Sequence, residues 1–266
     1  MRIAPPAVRA RAFDAWADEY ERYRPGYPAA LYDLIADRLG LPADADVVDL
    51  GAGTGKVARA AAARGWHVTA VDPGAPMLAV LRERAAADEV AIDVVQASAE
   101  ETGLPSGAFH AALAGEAYHW FDALAALAEM ARIVRPGGGI AFFWNDVDSN
   151  RSALVAGERD LVAEYGIDGS DVRKPGPLPE TRDAIRSAGG YEEPEFHQVR
   201  HVVPMSGAEY LGLAYTKSHL RTAPVELQER YRGAFEAMLA RHGVGQDDRI
   251  EVPYVTDCWI AKRRDR

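Results

Sequence analysis

Short apolar runs alternate with segments of helical periodicity over most of the first 145 residues. Five runs are short enough for buried strands, and they lie at residues 47–50, 67–71, 91–96, 109–114 and 140–144. Apolar positions at helical spacing occur between them, at residues 56–64, 75–86 and 123–134. Parallel strands need crossover connections, which are usually helices. The alternation therefore predicts a parallel sheet with helices on both faces.

The two ends of the chain follow a different pattern. Residues 8–27 have apolar positions at helical spacing and end in a Pro- and Gly-containing cluster that favours a turn. Residues 146–178 are polar and interrupted by Gly and Pro. The further predicted elements are helices at 29–39 and 180–188, a strand at 196–203, two helices within 206–242 split at 222–224, and a last strand at 252–261.

The composition limits which partners the protein can bind and where in the cell it is expected. The 40 acidic and 30 basic residues give a formal net charge of −10, whereas nucleic-acid binding normally needs a basic face. Cys258 is the single cysteine, which excludes an internal disulfide and argues against a cysteine-based metal site. No apolar run approaches the roughly 20 residues of a membrane span, and the N-terminus lacks the apolar core of a signal peptide. We therefore expect a cytoplasmic protein with no nucleic-acid, membrane or metal partner.

A glycine-rich turn follows the first predicted strand, where residues 49–55 read Asp-Leu-Gly-Ala-Gly-Thr-Gly. Glycine lacks a Cβ, so such a turn lets a ligand approach the backbone, and the following helix offers unpaired N–H groups. A phosphate-binding P-loop is excluded, because three rather than four residues separate Gly51 from Gly55 and Val57 follows Lys56. A dinucleotide site is disfavoured, because Lys56 stands where that pattern needs its third glycine.

Two acidic residues flank this turn. Asp49 precedes it and suits a cationic or amine-bearing ligand, whereas it would repel a pyrophosphate. Asp72 ends the second predicted strand, 17 positions beyond Gly55. A carboxylate at that place can accept hydrogen bonds from both hydroxyls of a ribose.

Four segments, in this order, resemble the motifs of class I S-adenosylmethionine (SAM)-dependent methyltransferases. Residues 48–55 and 71–73 look like the first and second SAM-binding motifs, 96–100 is similar to the segment that covers the adenine, and 133–138 matches the turn before the fifth strand. The resemblance covers roughly residues 10–145 and returns in the last strand. It implies SAM as the cofactor and an α/β, Rossmann-like sheet of seven mostly parallel strands with an antiparallel last strand.

A closer likeness concerns residues 13–28 and residues 117–121, which read Ala-Tyr-His-Trp-Phe. Both resemble the type 11 group that includes trans-aconitate-type methyltransferases, in which the N-terminal helix closes over the cofactor. By this likeness, Tyr20 and Arg24 would face the methionine end, with Arg24 pairing the carboxylate. The implied organisation is a single domain over residues 1–266, with lid helices in 1–45, a SAM-binding core in 46–145, and helical cap inserts and last strands in 146–266.

The resemblance also implies a set of cofactor-binding residues from the N-terminal helix, the glycine turn and the ends of the next strands. They are Phe13, Tyr20, Arg24, Asp49, Gly51, Ala52, Gly53, Asp72, Pro73, Met77, Ser98, Ala99, Glu100 and Gly115. Two positions depart from the family's pattern. His110 stands where Asp is usual at the start of the fourth strand, and Glu116 stands where a neutral residue often follows that strand. An anion at position 116 could sit near the sulfonium or near a cationic acceptor.

Methyl transfer from a sulfonium is an in-line displacement, so the protein mainly aligns the acceptor and adds a base only where the acceptor carries a proton. His119 lies just beyond the fourth strand, where ligands bind in open α/β sheets, and is a candidate catalytic base or positioning residue, with a structural role as the alternative. Glu116 is the other catalytic candidate, with a surface salt bridge as the alternative. Tyr118 and Trp120 either line an acceptor pocket or pack the lid, and Tyr215 either contacts the acceptor or is a core or helix-surface residue.

These patterns predict an enzyme that transfers a methyl group from SAM to a small-molecule acceptor, a metabolite or natural-product intermediate. The alternative is an enzyme of the same fold that binds SAM or S-adenosylhomocysteine but catalyses a cyclisation, elimination or hydrolysis. Glu116 and His110 keep that alternative open. A non-catalytic binding module is opposed by the intact Asp49, glycine turn and Asp72. An NAD-dependent oxidoreductase is disfavoured by Lys56. The sequence identifies neither the acceptor nor the oligomeric state.

Overall fold

Seven strands form one sheet in a computed structural model that describes residues 16–167 and 176–265. The strands are β1 (Asp46–Leu50), β2 (His67–Asp72), β3 (Ile92–Gln96), β4 (Phe109–Gly115), β5 (Val134–Val147), β6 (Glu195–Ser206) and β7 (Arg249–Lys262). Their order is β3-β2-β1-β4-β5-β7-β6. Strands β1 to β5 pair in parallel, and the two strands at the other edge are antiparallel. This confirms the predicted α/β fold.

The helices lie between these strands, as the alternating pattern predicts. Those described are α1 (Ala17–Tyr23), α2 (Ala29–Leu39), α3 (Lys56–Ala62), α4 (Ala75–Ala87), α5 (Ala123–Ile133), α6 (Ala153–Glu164), α7 (Pro179–Ala188), α8 (Gly207–Tyr215), α9 (Ser218–Arg221) and α10 (Val225–Arg241). A short 3₁₀ helix, Tyr118–Trp120, follows β4. None of these described helices has both the length and the apolar character needed to cross a bilayer.

The chain divides into two compact units. Within the described residues, the smaller unit comprises 16–25, 146–167 and 200–255, and the larger unit comprises 26–145, 176–199 and 256–265. The smaller unit has its own apolar core, in which Tyr210, Tyr231 and Phe235 are fully buried. The assignment of residues 1–266 to a single domain stays a prediction.

The larger unit places helices against both faces of the sheet. Neighbouring residues of a strand point to opposite faces, and β1 shows the result: Val47 packs in a layer with Ile35 of α2, whereas Val48 packs in a layer with Leu127 of α5. Both valines are fully buried. Because β1 is covered on both faces, only its ends are open to a ligand, and open α/β sheets bind ligands at the carboxyl end.

Two elements differ from the predictions. Strand β5 begins at Val134 instead of residue 140, because Gly137 donates its N–H to the Arg263 carbonyl (3.2 Å) and Gly138 accepts from the Arg263 N–H (2.7 Å). Pairing with the last strand thus overrides the local turn signal of Pro and Gly. The segment 206–242 forms three helices instead of two. Helix α6 lies within residues 146–178, one of the inserts for which helical structure was predicted.

Candidate functional site

The glycine turn after β1 lies at the carboxyl end of the sheet and is bonded to β2. The N–H groups of Gly51 and Ala52 both donate to the Val71 carbonyl, at 2.9 and 3.0 Å. Gly51 has a φ of +68°, and a Cβ built on it would lie 2.6 Å from the Cβ of Ala117. Gly53 has a φ of +55°. The turn therefore favours glycine at both positions for backbone conformation, and at Gly51 for space as well.

Asp72 ties this turn to the end of β2. Its Oδ2 accepts the Gly53 N–H and its Oδ1 accepts the Gly74 N–H, both at 2.8 Å. A carboxylate offers about four acceptor positions, and bonds to its two oxygens fix its orientation. Asp72 is thereby held at the strand end where the sequence predicts a ribose ligand.

Asp49 is almost fully buried, with 1% of its surface exposed. Its Oδ2 accepts the Ala58 N–H of α3 at 3.1 Å, whereas its Oδ1 has no hydrogen-bond partner within the described part of the chain. Burial raises the pKa of Asp49 well above its ordinary value; the Ala58 N–H opposes this shift and the charge of Asp72 adds to it. A buried oxygen without a partner is costly. Either a proton or a donor from a ligand would satisfy it.

The segment after β3 lies beside the Asp72 turn. Gln96 donates from Nε2 to the Pro73 carbonyl at 3.1 Å. Met77 lies next to Gly53, since a Cβ built on Gly53 would be 3.2 Å from the Met77 Cε. Ala99 is buried in the core, and Glu100 accepts the Asp122 N–H at 2.9 Å. Ser98 is partly exposed beside them. The structure thus brings several of the predicted cofactor residues to one edge of the sheet.

Glu116 directly follows β4 and adopts an unusual backbone conformation. Its φ is +53°, in the left-handed region that residues with a Cβ rarely adopt. Its N–H donates to the Phe143 carbonyl, and its Oε1 accepts the Asn145 N–H at 2.8 Å. Gly115 before it has no space for a Cβ, which would come within 2.8 Å of the Tyr27 hydroxyl. The Glu116 carboxylate is therefore fixed between the ends of β4 and β5.

His119 is exposed at the same end of the sheet and accepts a hydrogen bond from the end of β5. The indole Nε1 of Trp144 donates to His119 Nδ1 at 3.1 Å. The His119 ring centroid lies 4.8 Å from the ring of Trp120, which is partly exposed. Trp144 itself is buried, with 2% exposed. This bond places His119 in a defined orientation.

Tyr118 points away from the exposed side and into the core. Its ring stacks on Phe142 with centroids 4.0 Å apart and an angle of 12°, and only 5% of the residue is exposed. Burial raises the pKa of its hydroxyl to about 12. Tyr118 thus packs in the core against Phe142, which is neither the acceptor pocket nor the lid that the sequence left open for it.

The N-terminal and late-insert candidates lie together in the smaller unit. Arg24 donates from Nε to Thr216 Oγ1 at 2.8 Å, and its guanidinium lies 5.6 Å from the ring centre of Tyr20. The neighbouring Tyr215 donates its hydroxyl to the Gln228 carbonyl. Phe13 lies outside the described residues.

His110 lies at the opposite, amino end of β4. Its Nδ1 accepts the Asp46 N–H at 2.9 Å, and a guanidinium nitrogen of Arg135 is 2.7 Å from its Nε2. These contacts join the first residues of β1, β4 and β5. His110 is thus a structural residue and does not support altered chemistry at the ligand end.

Sequence reasoning did not single out Trp144 and Asn145, which bond to the two catalytic candidates. Both lie at the carboxyl end of β5, where an open α/β sheet binds ligands. Their position at the end of the fifth predicted strand is the feature of the sequence that could have identified them. No group of three or more His, Cys, Asp or Glu residues in the described ranges is placed to hold a metal ion.

The residues at this edge fit a SAM-type ligand in three respects. The turn has no room for a side chain at Gly51, the Asp72 carboxylate is held where a ribose diol is expected, and Asp49 keeps an unsatisfied buried oxygen. Together they form an acidic cradle that suits a cationic nucleoside better than a phosphate.

Comparison with known proteins agrees with this fit. Residues 48–142 match the family profile for a methyltransferase domain. An uncharacterized methyltransferase of Mycobacterium tuberculosis is 33% identical over 249 residues, or 93% of each chain. A malonyl-[acyl-carrier protein] O-methyltransferase of Enterobacter lignolyticus is 30% identical over 232 residues, which cover 78% of this chain and 89% of that protein.

A solved structure extends the comparison to the fold. A protein of Anaeromyxobacter dehalogenans, assigned as a type II methyltransferase, matches with a TM-score of 0.59 and 26% identity over 91% of this chain and 98% of its own. The ordered motifs, the sheet order and the relatives lead to one conclusion. The chain belongs to the class I SAM-dependent methyltransferases, and SAM is its cofactor.

Proposed function

We propose that this enzyme methylates a small-molecule acceptor at the carboxyl ends of β4 and β5. The observation that carries the proposal is the convergence there of a fixed carboxylate, Glu116, and an exposed imidazole, His119, each bonded to β5. Both follow the strand next to β1, whose glycine turn belongs to the cofactor site. An acceptor beside them would lie at the ligand-binding edge of the sheet.

In this proposal the cofactor is held along that edge. Asp72 binds the ribose hydroxyls, Gly51 and Gly53 let the ligand approach the backbone, and residues 98–100 cover the adenine. The role of Tyr20 and Arg24 at the methionine end rests on the family resemblance alone. When bound, SAM supplies a methyl group that is already activated by its sulfonium. The protein then has to hold the acceptor in line and exclude water.

On the acceptor side we place Glu116, His119 and Trp120; a role for Tyr215 stays a prediction from the sequence. The formal net charge of −10 favours a small acceptor over a nucleic acid. The printed activity of one relative, O-methylation of malonyl-acyl carrier protein, makes a carrier-bound acid the other acceptor to test.

The test uses SAM with an isotopically labelled methyl group. The full-length enzyme is incubated with separate pools of small carboxylic acids, small amines and phenols, and with malonyl-acyl carrier protein, and mass spectrometry follows the label. We expect labelled product in a small-molecule pool. Label in the carrier protein alone would contradict the proposal.

Two variants show that the product depends on the assigned site. Asp72→Asn should lose most product formation, because it weakens cofactor binding. Asp93→Asn, at an exposed position of β3, is the matched control and should retain it.

A further inference from the structure

The bond between Trp144 and His119 can run in only one direction. An indole nitrogen carries a proton and has no acceptor lone pair, so it can only donate. The 3.1 Å contact from Trp144 Nε1 therefore requires an acceptor lone pair on His119 Nδ1. Unlike a contact between two groups that both donate and accept, this one determines where the imidazole proton lies.

A neutral imidazole has one N–H and one acceptor nitrogen. Because Nδ1 is the acceptor here, the proton of neutral His119 is on Nε2. Protonation of both nitrogens would set two N–H groups against each other and break the bond. The contact therefore favours a neutral ring with an Nε2–H group.

The backbone around His119 holds the ring in this arrangement. The preceding Tyr118 is anchored in the core by its stack on Phe142, and the N–H of Trp120 donates to the Ala117 carbonyl at 2.9 Å. Trp144 is buried, so its indole cannot easily turn away. His119 is thus fixed by its own turn and by β5, while the residue stays exposed to a ligand.

We propose that Trp144 is a positioning residue that keeps His119 as an Nε2–H donor, and that His119 donates this hydrogen bond to an oxygen of the methyl acceptor. This inference rests on the proposed function, because it assumes that the acceptor lies beside His119. It excludes proton removal by His119 and assigns the acceptor class: a molecule with a hydrogen-bond-accepting oxygen close to the methylated atom.

The tautomer can be measured without any acceptor. The full-length protein is labelled with ¹⁵N-histidine, and long-range proton–nitrogen correlation spectra are recorded at about pH 8, above the ordinary imidazole pKa of about 6.5. The His119→Gln spectrum identifies the His119 signals. We expect the Nε2–H form in the wild type and a shift towards a mixture of tautomers in Trp144→Phe. Trp120→Phe, which changes the ring neighbour but not the bond, should keep the wild-type pattern.

The wild-type spectrum by itself shows the tautomer of His119, even if Trp144→Phe fails to fold. An Nδ1–H or doubly protonated His119 at that pH would overturn the inference, as would an unchanged tautomer in folded Trp144→Phe. A failed search for a small-molecule acceptor would refute the proposed function but leave the tautomer result intact.

The donor role is tested once an acceptor is known. His119→Ala should raise the KM for the acceptor more than it lowers kcat. His119→Gln should recover most of that loss, because its amide can donate. A drop in kcat of roughly 10²–10⁴-fold in both variants would instead indicate proton removal and overturn the donor role.

Discussion

The backbone N–H of Asn145 donates to Oε1 of Glu116 over 2.8 Å and joins the ends of two neighbouring parallel strands. Asn145 is held in turn, since its side chain donates to the Gly26 carbonyl and accepts from the Thr256 hydroxyl, at 2.9 and 2.6 Å. The left-handed backbone of Glu116 costs of order 1 kcal/mol, and such conformations persist where the surroundings determine them. The carboxylate is therefore placed by the fold and does not sample many positions.

Glu116→Gln separates the charge of this group from its structural bond. The amide oxygen can still accept the Asn145 N–H, so we expect the free energy of unfolding to stay within about 1 kcal/mol of wild type. If the charge faces the sulfonium or a cationic part of the acceptor, the Kd or KM should rise more than kcat falls. Calorimetry and steady-state kinetics give these values. A large fall in kcat with unchanged binding would assign proton removal to Glu116.

Asp72→Ala should weaken SAM binding by roughly 2–4 kcal/mol, because charge-assisted hydrogen bonds contribute about 1.5–3 kcal/mol each and are not additive. The substitution also removes the acceptor for the Gly53 and Gly74 N–H groups, so part of the loss will come from the turn itself. Titration calorimetry measures the affinity. Unchanged affinity for SAM would contradict the assignment of Asp72 to the ribose. Asp93→Ala removes an exposed carboxylate of β3 and controls for the loss of one negative charge.

Gly51→Ala tests the need for space in the turn. Its Cβ would meet Ala117 at 2.6 Å and Phe121 at 3.2 Å, and the positive φ adds strain. We expect a loss of about 1–3 kcal/mol in unfolding free energy together with weaker SAM binding. Gly233→Ala in α10 meets nothing within 4 Å and should instead stabilise the helix by up to about 1 kcal/mol. Urea unfolding of both variants checks the contrast, and equal stability would contradict it.

Glu129 links α5 to the segment that follows the predicted adenine cover. It accepts hydrogen bonds from the Arg132 guanidinium and from the N–H and hydroxyl of Thr102. The Arg132 bonds lower the pKa of Glu129 to about 2, against the opposing effect of burial, and the Thr102 bonds add to the shift.

Because the folded pKa lies below the ordinary value of 4.5, Glu129 stabilises the fold above that pH, and the contribution is lost as the pH falls towards 2. Glu129→Gln should therefore be less stable than wild type at pH 6, and the difference should shrink as the solution is acidified. Urea unfolding at several pH values tests this. A difference between Glu129→Gln and wild type that stays constant over this pH range would contradict the linkage.

The sheet and the cofactor edge were predictable because their signals are local. A strand, a glycine turn and a strand-end carboxylate each occupy a few consecutive residues, and the topology of parallel sheets brings Gly51, Gly53 and Asp72 together. The structure bears out the fold, while the individual ligand contacts stay predictions.

Contacts between distant residues were not predictable in the same way. The Trp144–His119 bond joins residues 25 positions apart, and its direction depends on how β5 lies beside β4. Likewise, only the 3₁₀ turn decides that Tyr118 packs inward while His119 is exposed. Strand β5 starts early because Arg263 pairs with it, which no local pattern around residue 137 indicates.

The cluster of His110, Asp46 and Arg135 at the amino end of the strands has a consequence for engineering. The length of β4 separates it from Glu116, so stabilising substitutions there can be made without touching the residues proposed to meet the acceptor. A more stable starting enzyme tolerates more of the destabilising changes that a new acceptor range demands. Mutant libraries that aim to change the acceptor would then be confined to the carboxyl ends of β4 and β5. Substitutions at the amino ends of the strands would first raise the stability of the fold.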